Sequence, residues 1–222
     1  MSELSILFED NHLMLFNKPA GLLTQPTDLE NESVETLGKE WIKKAKNKPG
    51  NVFLHPVHRL DRPASGIVLC ARTSKALSRL SQQMRERACK KTYLACIDHT
   101  MPALAGSLEH YLIHDHHRAL VLEQEAGGAK WSRLEYRLIN QKGGISLLEI
   151  SLITGRYHQI RAQLSHIGCP IIGDSKYGSS QSLGNNCIAL HHFRLEFTHP
   201  VQQTALSFEA PVPAHWPLKA RE

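Results

Sequence analysis

From Ser107 to Leu152 the chain reads almost without a break as strand, and this stretch limits its possible folds more than any other. Apolar and polar residues alternate in ISLLEISLI, the period of a half-buried strand, and Gly127-Gly128 and Gly143-Gly144 punctuate the run as turns. Shorter strand candidates precede it: SILF and LMLF around Glu9-Asp10-Asn11, then Ile67–Ala71 and Thr92–Ile97. Others follow at 189–197 and 204–208. Helical spacing occurs in three places. Val34, Leu37, Trp41, Ile42 and Ala45 form one stripe behind Ser33 as N-cap, with Pro49-Gly50 ending it; Leu77, Leu80 and Met84 form another behind Ser74. The third runs from about Tyr157 to Ile167 and closes at Gly168 and Pro170. Strands outnumber helices and do not alternate regularly with them. The expected class is therefore α+β, not a doubly wound fold.

A chain of 222 residues suits one domain, expected here over 1–222, with enough length to bury a core without disulfides. The five cysteines form no CxxC pair, and Cys70, Cys96 and Cys187 lie in apolar runs, which points to a reducing compartment. No apolar run approaches the roughly 18 residues of a membrane span, and no leader pattern opens the chain, so a cytoplasmic protein without membrane contact is expected. Lysine and arginine number 26 against 21 acids. That balance is compatible with a polyanionic partner, and equally with a basic solvated surface.

Two constellations stand out. In HRLDRPASG (58–66), one acid, Asp61, sits among arginines in a Pro- and Gly-containing loop leading into an apolar strand, a common setting for working residues. The plainer alternative is a surface ion pair of Asp61 with Arg59 or Arg62. In TGRYHQIR (154–161), a strand passes into a helix near Gly155, so free backbone N–H groups could attract phosphate or carboxylate. Arg156, His158 and Gln159 add charge and hydrogen-bonding groups there. Arg161, one turn further in, requires an anionic partner if buried, and a structural carboxylate is the plainer candidate. In KKTY, Tyr93 alone reads as core. His114, His116 and His117 beside Asp115 invite a metal, but their alternation along a strand and turn sends neighbours apart, and no metal is expected.

Taken together these segments resemble the RluA family of pseudouridine synthases. HRLDRPASG is similar to the signature around that family's catalytic aspartate, KKTYLA to its KxY motif, and GRYHQIRAQL to its third motif. LFEDNHLMLFNKPAGLLTQP, GAKWSRLEY, IIGDSKYG and LHHFRLEFTHP resemble further landmarks in the same order, so the likeness spans Leu7 to Pro217. Ala64 departs from the family's usual threonine or valine, and Arg72 from its usual lysine. The likeness starts almost at residue 1, so no S4-like RNA-binding segment is expected before the core.

The resemblance implies a single catalytic domain with a mixed, mostly antiparallel sheet and flanking helices. It implies isomerisation of specific uridines in ribosomal or transfer RNA, by a monomer needing no cofactor. Asp61 would be the essential carboxylate, attacking C1′ or acting at C2′ to give a glycal. Arg161 would pair with Asp61 and keep it ionised, while Tyr93 would pack on the uracil and could take the C5 proton. Arg59 would fill the place of the flipped base, and His58, Arg156, His158, Gln159 and Ile160 would contact substrate. The alternative is a non-catalytic RNA-binding protein on the same fold. A glycoside hydrolase fits less well, because such enzymes use two carboxylates and only Asp61 occupies a motif.

Overall fold

The structure is a computed structural model that describes residues 4–101, 103–184 and 186–219. Contacts group the chain into two compact units, residues 1–89 with 192–211, and residues 90–191 with 212–222.

The first unit opens with β1 (Ser5–Glu9) and β2 (Leu13–Lys18), an antiparallel pair around the predicted turn. β2 also pairs antiparallel with β4 (Ser65–Ala71), placing Leu15 opposite Leu69, and a two-residue β3 (His55–Pro56) joins the far end of β4. β4 is flanked on its other side by β10 (Leu190–Thr198), which pairs antiparallel with β11 (Ala205–Glu209). Every residue of β4 is buried. Coverage on both faces explains why LMLF and IVLCA read as unbroken apolar runs without alternation.

Leu13, Leu15, Ile67, Leu69, Leu195 and Phe197 form the core cluster, together with Ala76 and Leu80 of α2 (Ser74–Arg85). The cap of α2 is Thr73, whose hydroxyl accepts from Ala76 N–H, so Ser74 is already helical and not the cap expected. α1 (Val34–Ala45) starts at Ser33 as expected, in a capping box closed by Thr36. It stops at Lys46, before Pro49-Gly50, where Asn47 takes a left-handed φ of 47°.

The second unit is an antiparallel series in the order β5-β9-β8-β6-β7. Its strands are β5 (Lys90–Ile97), β6 (Ala105–Asp115), β7 (Arg118–Leu122), β8 (Lys130–Lys142) and β9 (Ile145–Leu152). β8 and β9 meet over Gly143-Gly144, both with positive φ, which a tight hairpin turn requires. The β6–β7 hairpin turns at His116-His117, with His116 at φ 47°.

α3 (Gln159–His166) is short, and its first six residues are all buried, three of them polar. Each polar member is tied in. Gln159 donates to Arg133 O, Gln163 donates to Leu108 O, and Arg161 binds a carboxylate described below. The strands and few helices confirm the α+β class. Among the described residues, no helix is long and apolar enough to cross a membrane.

Candidate active site

The loop that carries Asp61 is fixed through its backbone. Thr24, buried 36 residues upstream, accepts from Leu60 N–H at 3.1 Å and donates to Leu60 O at 2.9 Å. The carbonyl of Arg62 accepts from Gly21 N–H at 2.8 Å and from the Lys18 ammonium at 3.1 Å. Lys18 is fully buried and also donates to the carbonyls of Pro19 and Leu22, which is how an ammonium is tolerated there. Ala64 N–H closes a turn onto Asp61 O at 3.1 Å. After the loop, Gly66 has φ +114° and runs so close to β10 that a β-carbon would lie 2.4 Å from His192 O. The Ser65-Gly66 pair thus sets how β4 leaves the loop.

Side chains of the loop are left to other work. Arg62 donates from Nε to Gly21 O and holds Glu30 through both terminal nitrogens, at 2.9 and 3.2 Å. The surface pairing of Asp61 with Arg62 is therefore not formed. Arg59 is exposed, and its guanidinium makes no ion pair among the described residues. His58 Nε2 accepts from Leu69 N–H at 3.2 Å, and its ring meets His192 edge-on at 5.3 Å. Asp61 itself is half-buried.

In the second unit, the segment 154–161 is anchored by its side chains. The Gln159 amide oxygen accepts from Thr154 Oγ1 at 2.8 Å and from Arg156 N–H at 3.0 Å, while its nitrogen donates to Arg133 O. Arg156 Nε donates to Trp131 O at 3.1 Å. The helix begins at Gln159, four residues after Gly155, not at or just after that glycine. The turn's amides are partly engaged: Thr154 N–H donates to Arg133 O, and Arg156 N–H is held by Gln159. Two of the amides in this turn are thus engaged within the protein. Lys91 reaches the same turn, and its Nζ would lie 3.3 Å from a β-carbon at Gly155. The KKTY and GRYHQIR segments thus meet. Tyr93 is buried in β5, opposite Ile150.

Arg161, 4% exposed, donates from Nε and Nη2 to the two carboxylate oxygens of Asp174 at 2.7 and 2.9 Å. Two parallel bonds of this kind are the strong form of a charged pair. Asp174 opens the 3₁₀ turn Ser175–Tyr177 and was missed as a functional residue. The burial requirement on Arg161 was the signal that could have found it. Tyr177 was missed as well. Its ring lies 5.0 Å from Arg161 Cζ and 5.2 Å from Arg118 Cζ, and its hydroxyl accepts from Ala119 N–H at 2.8 Å. Burial pushes the Tyr177 phenol above its ordinary pKa, so it stays protonated and a donor. The Tyr177 hydroxyl and His158 Nδ1 share a further hydrogen bond at 3.0 Å. His158 and Arg161 are thereby brought together, each against Tyr177. Ile160 is buried beside them in α3. Asp61, His58 and Arg59 belong to the first unit; Tyr93, Arg156, His158, Gln159, Ile160 and Arg161 belong to the second.

His110, Glu123 and His166 bring potential metal-ligating atoms within 4.8 Å of one another. Gln163 Nε2 lies 3.0 Å from His110 Nδ1 and 3.0 Å from Leu108 O, a donor with two acceptors. That leaves the His110 proton on Nε2, so neither ring nitrogen presents a free lone pair. His166 Nε2 and Glu123 Oε1 meet at 2.6 Å. His110 Nδ1, His166 Nε2 and Glu123 Oε1 are thus each engaged in a hydrogen bond within the protein. Burial and the neighbouring His166 lower the His110 pKa.

Comparison with known proteins adds the context. A family model described as RNA pseudouridylate synthase matches residues 12–166. The chain is 34% identical over 221 residues to an uncharacterised RNA pseudouridine synthase of Mycoplasma genitalium, covering 99% of this chain and 70% of that protein. It is 33% identical over 221 residues to the ribosomal large subunit pseudouridine synthase D of Zymomonas mobilis, covering 95% of this chain and 69% of that protein. Among solved structures, human RNA pseudouridylate synthase domain containing 4 shares the fold, with a TM-score of 0.79 at 22% identity, covering 95% of this chain and 89% of that one.

Proposed function

The chain belongs to the RNA pseudouridylate synthase family, and from that premise we propose that Asp61 is the carboxylate with which it isomerises uridine to pseudouridine in RNA. The reaction breaks the N1–C1′ bond, turns the uracil, and joins C5 to C1′. A proton leaves C5 and one returns to N1, so nothing is oxidised or reduced. A carboxylate acting at the sugar, on C1′ or on C2′, makes the glycosidic bond breakable without a second acid. The observation that carries this reading is the Asp61 loop. Its backbone is pinned by Thr24, Gly21 and Lys18, its neighbour Arg62 is turned to Glu30, and Asp61 is held half-buried.

In this reading Tyr93 packs on the uracil and Arg161 is the cation of the site. Arg59 enters the stack that the target base leaves. His58, Arg156, His158, Gln159 and Ile160 contact substrate, and Gln159 also holds the turn that carries Arg156 and His158. Ribosomal RNA is the first substrate to test, because the Zymomonas relative is named for the ribosomal large subunit; transfer RNA is the second. A cytoplasmic monomer is the setting this implies.

The test is tritium release from 5-tritiated uridine in RNA taken from cells lacking the gene. Asp61→Asn keeps the volume and removes the charge, and should reduce release to background while RNA binding persists. Appreciable turnover by that variant removes Asp61 from its role. Carbodiimide mapping of pseudouridine with and without the gene then identifies the uridine.

A further inference from the structure

The turn before α3 carries an aromatic array centred on Tyr157, a residue to which the uridine chemistry gives no role. Tyr157 is 42% exposed, a large ring at the surface. His158 stacks beside it, with centroids 3.9 Å apart and planes within 18°. His114, at the end of β6, meets Tyr157 at 4.2 Å with its plane tilted by 52°. This array accounts for the first member of the histidine cluster singled out in the sequence.

The array is held rigidly. His158 has φ 51° and ψ 24°, a left-handed backbone that a residue with a β-carbon keeps only where its surroundings fix it. The Tyr177 hydroxyl fixes the ring through Nδ1, and Tyr177 is itself held by Ala119 N–H and lies against Arg161, locked on Asp174. Order therefore runs from a buried ion pair outward to a surface ring. The rim is cationic. Arg118 is exposed beside Tyr177, and Lys176 is exposed with its Nζ on His117 O at 3.2 Å. Asp115 is the acid at this hairpin tip, and it faces His116 at 3.8 Å.

A pre-oriented aromatic surface with a cationic rim suits an unpaired nucleobase and its phosphates, because every base offers a flat polarisable face. Resting on the RNA pseudouridine synthase reading, we infer that Tyr157, backed by His158 and His114, is a stacking platform for an unpaired base of the RNA substrate, with Arg118 and Lys176 placed for its backbone.

The test uses the full chain and two fluorescein-labelled RNAs, a hairpin with an unpaired loop and a blunt duplex of the same stem, followed by anisotropy at fixed salt. Tyr157→Ala and Tyr157→Leu should weaken hairpin binding by about 5- to 150-fold, the range of one lost base stack. Tyr157→Phe should stay within about twofold, and no variant should weaken duplex binding by more than about twofold. Because Tyr157 is at the surface, circular dichroism melts of all three variants should match the parent. The platform is overturned if Leu binds like Phe, which marks an apolar contact, or if Ala binds like the parent. Equal losses on both RNAs overturn it too, leaving a contact blind to base pairing. A parent protein that releases tritium from cellular RNA while Tyr157→Ala binds unchanged refutes the platform alone. A parent that neither binds nor releases refutes the underlying reading as well.

Discussion

The loop around Asp61 and the turn before α3 are both dense in charge, yet they use their side chains in opposite ways. The loop is fastened by backbone groups, through Thr24, Gly21 and Lys18, and its arginines point elsewhere. The turn is fastened by its own side chains: Gln159, Arg156 and Arg161 all end on protein atoms. A motif residue is thus no guide by itself to substrate contact. In the loop the protein grips the main chain, whereas in the turn it grips side chains.

The contrast can be broken first at Asp61. If Asp61 is the working carboxylate of a loop gripped by its main chain, Asp61→Asn should lower turnover by at least about a thousandfold, on the order of 4 kcal/mol in the barrier, with a smaller effect on melting temperature. A melting temperature that falls with turnover would make Asp61 an anchor like those of the turn.

Next in size, Arg161→Ala should destabilise the fold by about 3–5 kcal/mol, since it strands the buried Asp174 carboxylate. Arg62→Gln breaks an exposed pair with Glu30 and should cost no more than about 1 kcal/mol. Urea unfolding of the two variants measures both, and similar losses would erase the distinction between buried and exposed anchoring.

Thr24→Val tests the backbone fastening of the loop. It removes two hydrogen bonds to Leu60 in a buried site, for a loss of about 1–3 kcal/mol in urea unfolding, and it should depress turnover because Asp61 follows Leu60. Lost stability with full activity would mean that Asp61 is positioned by something else.

The smallest effect concerns pH. His110, packed under α3 through Gln163, has a folded-state pKa below its unfolded one, so the unfolded chain binds the extra proton. Its contribution is full above about pH 6.5 and is lost as pH falls from there through the lowered folded value. Thermal melts between neutral pH and pH 5 should fall less in His110→Gln than in the parent. An identical slope in both would place the loss in other groups.

Much of this was legible along the chain. The strands, the Ser33 cap and the Asp61 loop follow from local composition, because a period of two, a hydroxyl before an apolar stripe and a Pro-Gly punctuated loop act over a few residues. What was hidden is what binds at a distance. Thr24 reaches Leu60 across 36 residues and Lys18 reaches Arg62 across 44, and no periodicity records such pairs. Arg161 was readable as needing a carboxylate, yet Asp174, 13 residues on, sits in a turn whose pattern gives no sign of burial. The left-handed His158 was equally silent, and its ring is held by Tyr177, 19 residues on.

The division of the chain also bears on how it is made. The second unit is almost one contiguous stretch, 90–191, so it emerges from the ribosome nearly whole, lacking residues 212–222. The first unit is interrupted by it, and β4 waits for the neighbour supplied by β10 until more than a hundred further residues are translated. Through that interval the part of the β4 edge that β3 does not cover lacks its partner strand, in a segment buried along its whole length in the finished protein. The order of synthesis thus differs from the order of the sheet, and the last strands to appear close an edge that the nascent chain leaves open.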